Sequence, residues 1–388
     1  MRFAKIVLFT AIAGAPAFAQ TQYYGAVDLG SKGSKAELFS FHRETCPTEF
    51  KSKEADESFC FVYGKTINTQ LVSSMKDGQF TEVGIRDATD AVKREMDEMQ
   101  AAAKKNQLQK VNYFVVGSSG VAKAKNKDAL VASIKETLKD IPAVTMEFID
   151  AKREGYYGLM WAVTSKELQA ESLFVDIGSG NTKLGCLVDG SDLGSYRSAE
   201  IEYGSVTGRK KGEENNPADI KAGIQQLMRE EVGPAYNEAS KGSPCLRNRE
   251  TIYWVGGAAW ATATFSHPEK VRKGSLKITR QDVETFLARL SDGSWNQRPF
   301  QYSFPKDASL DTQKDIRNAG EKDRRSVMDT FTREDLLSGV SIMKTVLDLC
   351  NHSAVVWFVR DSNFLFGYTK EKYPEEKAAE GAPKKVAN

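Results

Sequence analysis

Histidine is scarce in this chain of 388 residues: only His42, His267 and His352 occur, none with a catalytic partner nearby in sequence. That scarcity speaks against Ser-His-Asp or Cys-His catalysis and against multi-histidine metal sites. Cysteine is nearly as thin. Cys46, Cys60, Cys186, Cys245 and Cys350 form no CxxC pair and sit at no metal spacing from a histidine, so zinc is not expected. In an oxidising compartment Cys46 and Cys60 suit closure of the loop between them, worth roughly 3 kcal/mol by loop entropy. The odd count leaves at least one thiol unpaired, and the last three cysteines have no assignable partners. Acid–base chemistry is therefore left to carboxylates and backbone amides.

Long apolar runs are also missing. Beyond residue 19 no segment approaches the ~18 uninterrupted apolar residues of a membrane helix, so no membrane association is expected. Residues 1–19 themselves read as a secretory signal: Arg2 and Lys5 give a positive start, residues 6–15 are apolar, and Ala17 and Ala19 supply small residues before Gln20. Removing them predicts a soluble periplasmic or secreted chain of 369 residues, long enough for two lobes. Charge of one sign is lacking too. Without Arg2 and Lys5 the chain carries 52 basic and 52 acidic residues, no electrostatic case for nucleic acid or a membrane surface. A polyanionic ligand would need a local pocket.

What is present is a duplication. Residues 24–28 form an apolar strand ending in Asp28. The turn Leu29-Gly30-Ser31-Lys32-Gly33-Ser34-Lys35 follows, then a strand over 36–41. Helices over 87–105 and 127–139 alternate with strands over 111–116 and 144–149, leading into a helix over 153–165. The pattern then restarts with a strand over 172–176 ending in Asp176. The turn Ile177-Gly178-Ser179-Gly180-Asn181-Thr182 and a return strand over 183–188 follow. Strands over 196–202, 251–255 and 354–359 and helices over 217–231, 282–289 and 333–348 complete it. The expectation is an α/β protein of two similar lobes facing a cleft: lobe I over 20–150, lobe II over 151–369, and a charged, disordered tail over 370–388.

The two turns carry the chemistry. Glycine permits left-handed backbone, so consecutive amides can point inward as an anion nest, and serine hydroxyls add donors. An aspartate at each strand end suits Mg²⁺ held through water. One such turn is also what any tight hairpin uses. Two copies, each behind an aspartate, predict opposed grips on one phosphate chain.

Both turns resemble the phosphate loops of actin, the sugar kinases and the chaperone ATPases. Within that superfamily the chain most resembles the exopolyphosphatase / guanosine pentaphosphate phosphohydrolase family. The matching stretches are DLGSKGSK from Asp28, GSSGVAKAKN from Gly117, IDAKREGYYGLMWA from Ile149 and DIGSGNTKL from Asp176. YGSV from Tyr203, WVGGAAWATA from Trp254 and FTREDLLSGVSIM from Phe331 complete the order. The apyrases (nucleoside triphosphate diphosphohydrolases) are a close second, through Glu154-Gly155-Tyr156 and Trp161. The resemblance implies two actin-like lobes and an Mg²⁺-dependent hydrolase that removes a terminal phosphate from polyphosphate or a nucleotide. Asp28 and Asp176 would position the metal. Gly30, Ser31, Lys32, Ser34, Lys35, Gly178, Ser179, Gly180, Asn181, Thr182, Gly256 and Gly257 would hold phosphate. Glu154, at the start of the helix joining the lobes, would activate water. The plainer alternatives are that Glu154 favourably caps its helix and that Gly256-Gly257 allows close packing.

Four departures from the family pattern bear on activity. Ala122 stands at an arginine position, Ser179 at a glycine, and Lys183 at an acid or amide. Lys35 replaces an arginine and so loses its bidentate grip. They leave two further expectations open: a catalytically silent phosphate-binding protein, or, more remotely, an actin-like assembly protein.

Overall fold

The computed structural model describes residues 22–41, 46, 60–141, 144–163, 165–270, 274–297, 300–350, 354–360 and 364–373. The expected signal at 1–19 and most of the expected tail lie outside these residues.

Lobe I begins with strands β1 (Tyr23–Leu29), β2 (Gly33–Ser40) and β3 (Cys60–Asn68), then helix α1 (Glu82–Lys105). Strand β4 (Val111–Gly117), the short turn α2 (Ser119–Ala122), α3 (Lys127–Thr137) and β5 (Thr145–Phe148) complete it. Thr81 caps α1 by accepting from the Gly84 amide, which moves the helix start ahead of the expected residue 87. The buried residues Ala88, Val92, Met96, Met99 and Ala103 form a stripe at helical spacing along α1. The sheet order is β3-β2-β1-β4-β5, with β1 antiparallel to β2 and parallel to β4.

Helix α4 (Ala151–Ala162) joins the lobes; its cap Asp150 accepts from the Arg153 amide at 2.7 Å. The chain is extended at Val163, so the expected single helix to residue 165 stops early. Lobe II follows with α5 (Lys166–Glu171), β6 (Ser172–Ile177), β7 (Thr182–Leu187), β8 (Tyr196–Ile201), α6 (Ser205–Asn215) and α7 (Ile220–Leu227). Asp219 caps α7 through the Ala222 amide, so Pro217 lies ahead of the helix rather than in it. A π-turn over Met228–Val232 leads to α8 (Gly233–Gly242), then α9 (Cys245–Asn248), β9 (Thr251–Val255), α10 (Gly257–Ser266) and β10 (Ser275–Ile278). The last elements are α11 (Arg280–Asp292), α12 (Leu310–Thr330), α13 (Arg333–Leu349), β11 (Val355–Val359) and α14 (Phe364–Lys372).

Read from β8, the second sheet runs β8-β7-β6-β9-β11, the same order and directions as lobe I, with β10 added antiparallel at the edge. The duplication expected from the two Gly-Ser turns is thus a duplication of whole sheets. Cys46–Cys60 is a disulfide, and so is Cys186–Cys245, which ties β7 to the start of α9. Cys350 is buried and free, beside the Tyr236 hydroxyl. Helix α12 is pinned where the Arg360 guanidinium at the end of β11 bonds both oxygens of buried Asp323, at 2.8 and 3.0 Å.

The C-terminal segment departs from the expected boundaries. Helix α14 runs three residues into the expected tail and packs on lobe I, not lobe II. Phe364, Leu365, Phe366 and Tyr368 join Tyr24, Phe39 and Phe114 of the first sheet and Tyr157 of α4 in one core. The cause is aromatic burial: among the described residues no helix of lobe I joins this core, and α4 and α14 supply its other side. Among the described residues no helix is long and apolar enough to cross a membrane.

Candidate active site in the interlobe cleft

Strands β1 and β6 occupy equivalent central positions, and each carries an aspartate as its penultimate residue, at the cleft. Seven residues on, the hairpin partner of each is a lysine: Asp28 pairs with Lys35, and Asp176 with Lys183. Glu154 enters from the first turn of α4. These groups meet around a cavity of about 170 Å³ lined by Asp28, Lys35, Glu154 and Asp176, with Phe174, Val255, Gly256 and Phe364 among its walls.

Glu154 is buried, with both carboxylate oxygens engaged. The Ser119 amide donates to Oε2 at 2.8 Å, and the Lys183 ammonium donates to Oε1 at 2.7 Å. The same ammonium lies 2.8 Å from Asp176 Oδ2. Burial works against the Lys183 charge, but the Asp176 and Glu154 carboxylates outweigh it and raise its pKa. Burial raises Asp176, with Lys183 pulling the other way. Asp28 stands apart. Burial first, and then the Glu154 charge, push its carboxyl well above the usual range, and its buried Oδ1 has no hydrogen-bond partner.

The expected Mg²⁺ does not suit this donor set. Of the two expected holders, Asp28 and Asp176, the second has its Oδ2 in direct contact with the Lys183 ammonium, which also holds Glu154 Oε1. Asp28 offers an open oxygen, but a dication there would share the cavity with that ammonium. Among the described residues no three His, Cys, Asp or Glu side chains converge as a metal-holding group.

The two expected phosphate loops face each other, but they touch. Gly120 and Gly180 both pack against the Ser31 hydroxyl, where a Cβ on either would stand 2.6 and 2.7 Å from it. Asn181 donates to the Ser119 hydroxyl at 2.9 Å and also to Glu200, which pairs with Lys123 at 2.8 Å. Thr182 bonds the Tyr203 carbonyl, and Ser179 and Gly180 are tied through their carbonyls to the start of α6. Ser34 is buried on β2, with no hydrogen-bond partner for its hydroxyl. The Ser179 side chain thus belongs to a turn set by α6 rather than to an open cradle.

Lys32 does not face the cleft as expected. Its ammonium reaches across to Asp335 Oδ2 at 2.8 Å and to the Thr330 carbonyl at 2.6 Å, over the Phe331 ring. Arg209 holds the other oxygen of Asp335. Lys35 does line the cavity, paired with Glu37 at 2.8 Å. Gly256 has φ 91° and Gly257 abuts Phe331, so both serve close packing; a Cβ on Gly256 would lie 2.8 Å from Asp176 Oδ1.

Sequence reasoning missed the tether from Ser119 to Glu154, although the GSSG stretch contains it, and the role of Asp335. The local signal at Asp335 is a helix-capping box with Thr332, which says nothing of a lysine 303 positions away.

No protein-family model and no curated protein sequence matches the chain. Solved structures do. The chain is similar to the Aquifex aeolicus PPX-GPPA enzyme, at 15% identity and TM-score 0.57, over 90% of this chain and 99% of that one. An exopolyphosphatase from Cytophaga hutchinsonii matches at 15% identity and TM-score 0.60, over 90% and 98%. An exopolyphosphatase-like protein matches at 16% identity and TM-score 0.61, over 91% and 98%. Identities this low speak to fold alone, and on that level the chain has the two-lobed, actin-like α/β fold of the Ppx/GppA phosphatases.

Proposed function

We propose that this protein is an exported phosphohydrolase of the exopolyphosphatase kind, acting on the terminal phosphoanhydride of polyphosphate or a nucleotide. One observation carries the proposal: a buried carboxylate, Glu154, is fixed at the start of the interlobe helix and faces the ends of two equivalent strands, each followed by a Gly-Ser turn. In this reading Glu154 orients a water and takes its proton as the oxygen attacks the terminal phosphorus. The bridging P–O bond breaks, releasing orthophosphate and a chain shorter by one unit. Each oxygen of Glu154 accepts one bond here, so lone pairs remain for water. Ser31, Asn181 and the amides of Ser179 and Gly180 would receive phosphate only after the loops part, with Lys35 supplying charge; the Gly30 and Gly178 amides are spent inside their own turns, on the Gly33 and Asn181 carbonyls. Export is supported by the signal-like residues 1–19 and by two disulfides.

The alternative, a silent phosphate-binding protein, is favoured by one feature: Lys183 engages both Glu154 and Asp176 while the loops are closed. One experiment separates the two. Phosphate release is measured from polyphosphate, ATP, ADP and pppGpp, with and without Mg²⁺, beside Glu154→Gln. The hydrolase reading expects release from one of them that Glu154→Gln abolishes. Binding without release from any would establish the silent protein.

A further inference from the structure

A buried cation contacts two of the carboxylates that line the cavity at the strand ends. We propose that Lys183 is that resident cation: its ammonium occupies the place between Asp176 and Glu154 that a divalent ion would need, so the site binds and turns over phosphate without metal. The geometry is that of a built site. The ammonium contacts one oxygen of each carboxylate, at 2.7 and 2.8 Å, and its side chain is 5% exposed. A surface lysine that had folded inward by chance would have a short path back to water; this one is the second residue of β7, a strand buried along its whole length. Its backbone position is fixed too, because Lys183 pairs with Asp176 across the hairpin on one side and with Glu200 of β8 on the other. Among the described residues the ammonium contacts only these two carboxylates, which leaves its third N–H for a phosphate oxygen. Lys35, at the equivalent position of the first hairpin, lines the same cavity and gives a second positive charge.

The chemical consequence is specific. A lysine donates hydrogen bonds as a point charge but brings no water ligands and imposes no octahedral geometry. The preferred ligand is thus a metal-free phosphate chain end, and the cleft takes no Mg²⁺ of its own. The catalytic part of this inference rests on the hydrolase reading; the exclusion of metal does not.

The test uses the full mature chain in two arms. Calorimetric titration with MgCl₂ and with MnCl₂ should give no saturable binding to the wild type, while Lys183→Glu should acquire a site that Asp176→Asn removes. Should Lys183→Glu fail to fold, Lys183→Gln takes its place. Wild-type binding of Mg²⁺ that Asp176→Asn abolishes would overturn the proposal, as would a folded Lys183 variant that gains no metal affinity. In the second arm, phosphate release should persist in EDTA; release that stops in EDTA and returns with Mg²⁺ would overturn metal-free turnover while sustaining the hydrolase. If nothing is released under either condition, the hydrolase reading falls and calorimetry alone decides whether Lys183 excludes metal.

Discussion

Replacing Lys183 by methionine keeps the length and most of the apolar stem but removes the ammonium. Glu154 and Asp176 then face the cavity together with Asp28, and among the described residues the Ser119 amide is the donor left to Glu154. Removing one partner of a buried ion pair typically costs about 3–5 kcal/mol, because the other charge stays buried without compensation. At roughly 2–4 °C per kcal/mol for a unit the size of lobe II, melting should fall by about 6–20 °C. The deficit should depend on pH. Burial already raises the Asp176 pKa, and without the ammonium the pull that opposed this rise is gone, so the unfolded state releases that proton more readily and stability falls as pH rises. Melting followed by circular dichroism at about pH 8 should therefore show the larger loss, and at about pH 5 a smaller one. A variant melting within about 1 °C of wild type at both would refute the idea that the ammonium compensates this carboxylate pair.

Two further outcomes follow from other parts of the molecule. Gly256→Ala should destabilise by about 1–3 kcal/mol from left-handed strain alone, more with its crowding of Asp176; a thermal melt unchanged from wild type would contradict this. His267 Nε2 lies 3.1 Å from Asp282 Oδ2. That hydrogen bond raises the histidine pKa, and despite burial the bonds from His267 and Thr279 hold Asp282 at about 2. The histidine contribution is complete below its unfolded pKa of about 6.5 and is lost as pH rises through the higher folded value. The aspartate contribution is present above about 4 and is lost as pH falls towards its folded value. His267→Gln should flatten the dependence of melting temperature on pH on the alkaline side, and an unaltered profile would show that the pair does not couple to stability.

The fold was legible because its signals are local and repeated. Asp28 and Asp176 each end an apolar strand before a Gly-Ser turn, and the sheets that follow have one order. The β9 range is the one the apolar run at 251–255 predicts. The site was legible only in its residue list. Lys32 and Lys183 sit in phosphate-loop stretches, and nothing in their neighbourhood announces that one reaches Asp335 and the other grips Glu154 and Asp176. The Lys32 partner is set by how the lobes meet and Glu154 by where α4 packs, neither of which sequence spacing encodes; Asp176 alone is within local reach, as the hairpin neighbour of Lys183. Strand β10 and helix α12 escaped for a different reason. The first is four residues long, and the second is polar along most of its length, with only Gly320, Asp323 and Val327 buried.

The crossing of α14 back to lobe I bears on how the chain is made. The first sheet emerges early in synthesis, yet Phe39 and Phe114 meet their ring partners, Phe366 at 4.5 Å and Tyr368 at 5.4 Å, only when nearly the last residues appear. Until then one face of that sheet displays bare aromatic surface and cannot settle into its final packing. The carboxy-terminal helix is therefore the piece that completes the amino-terminal lobe, and the two ends of the chain finish folding together.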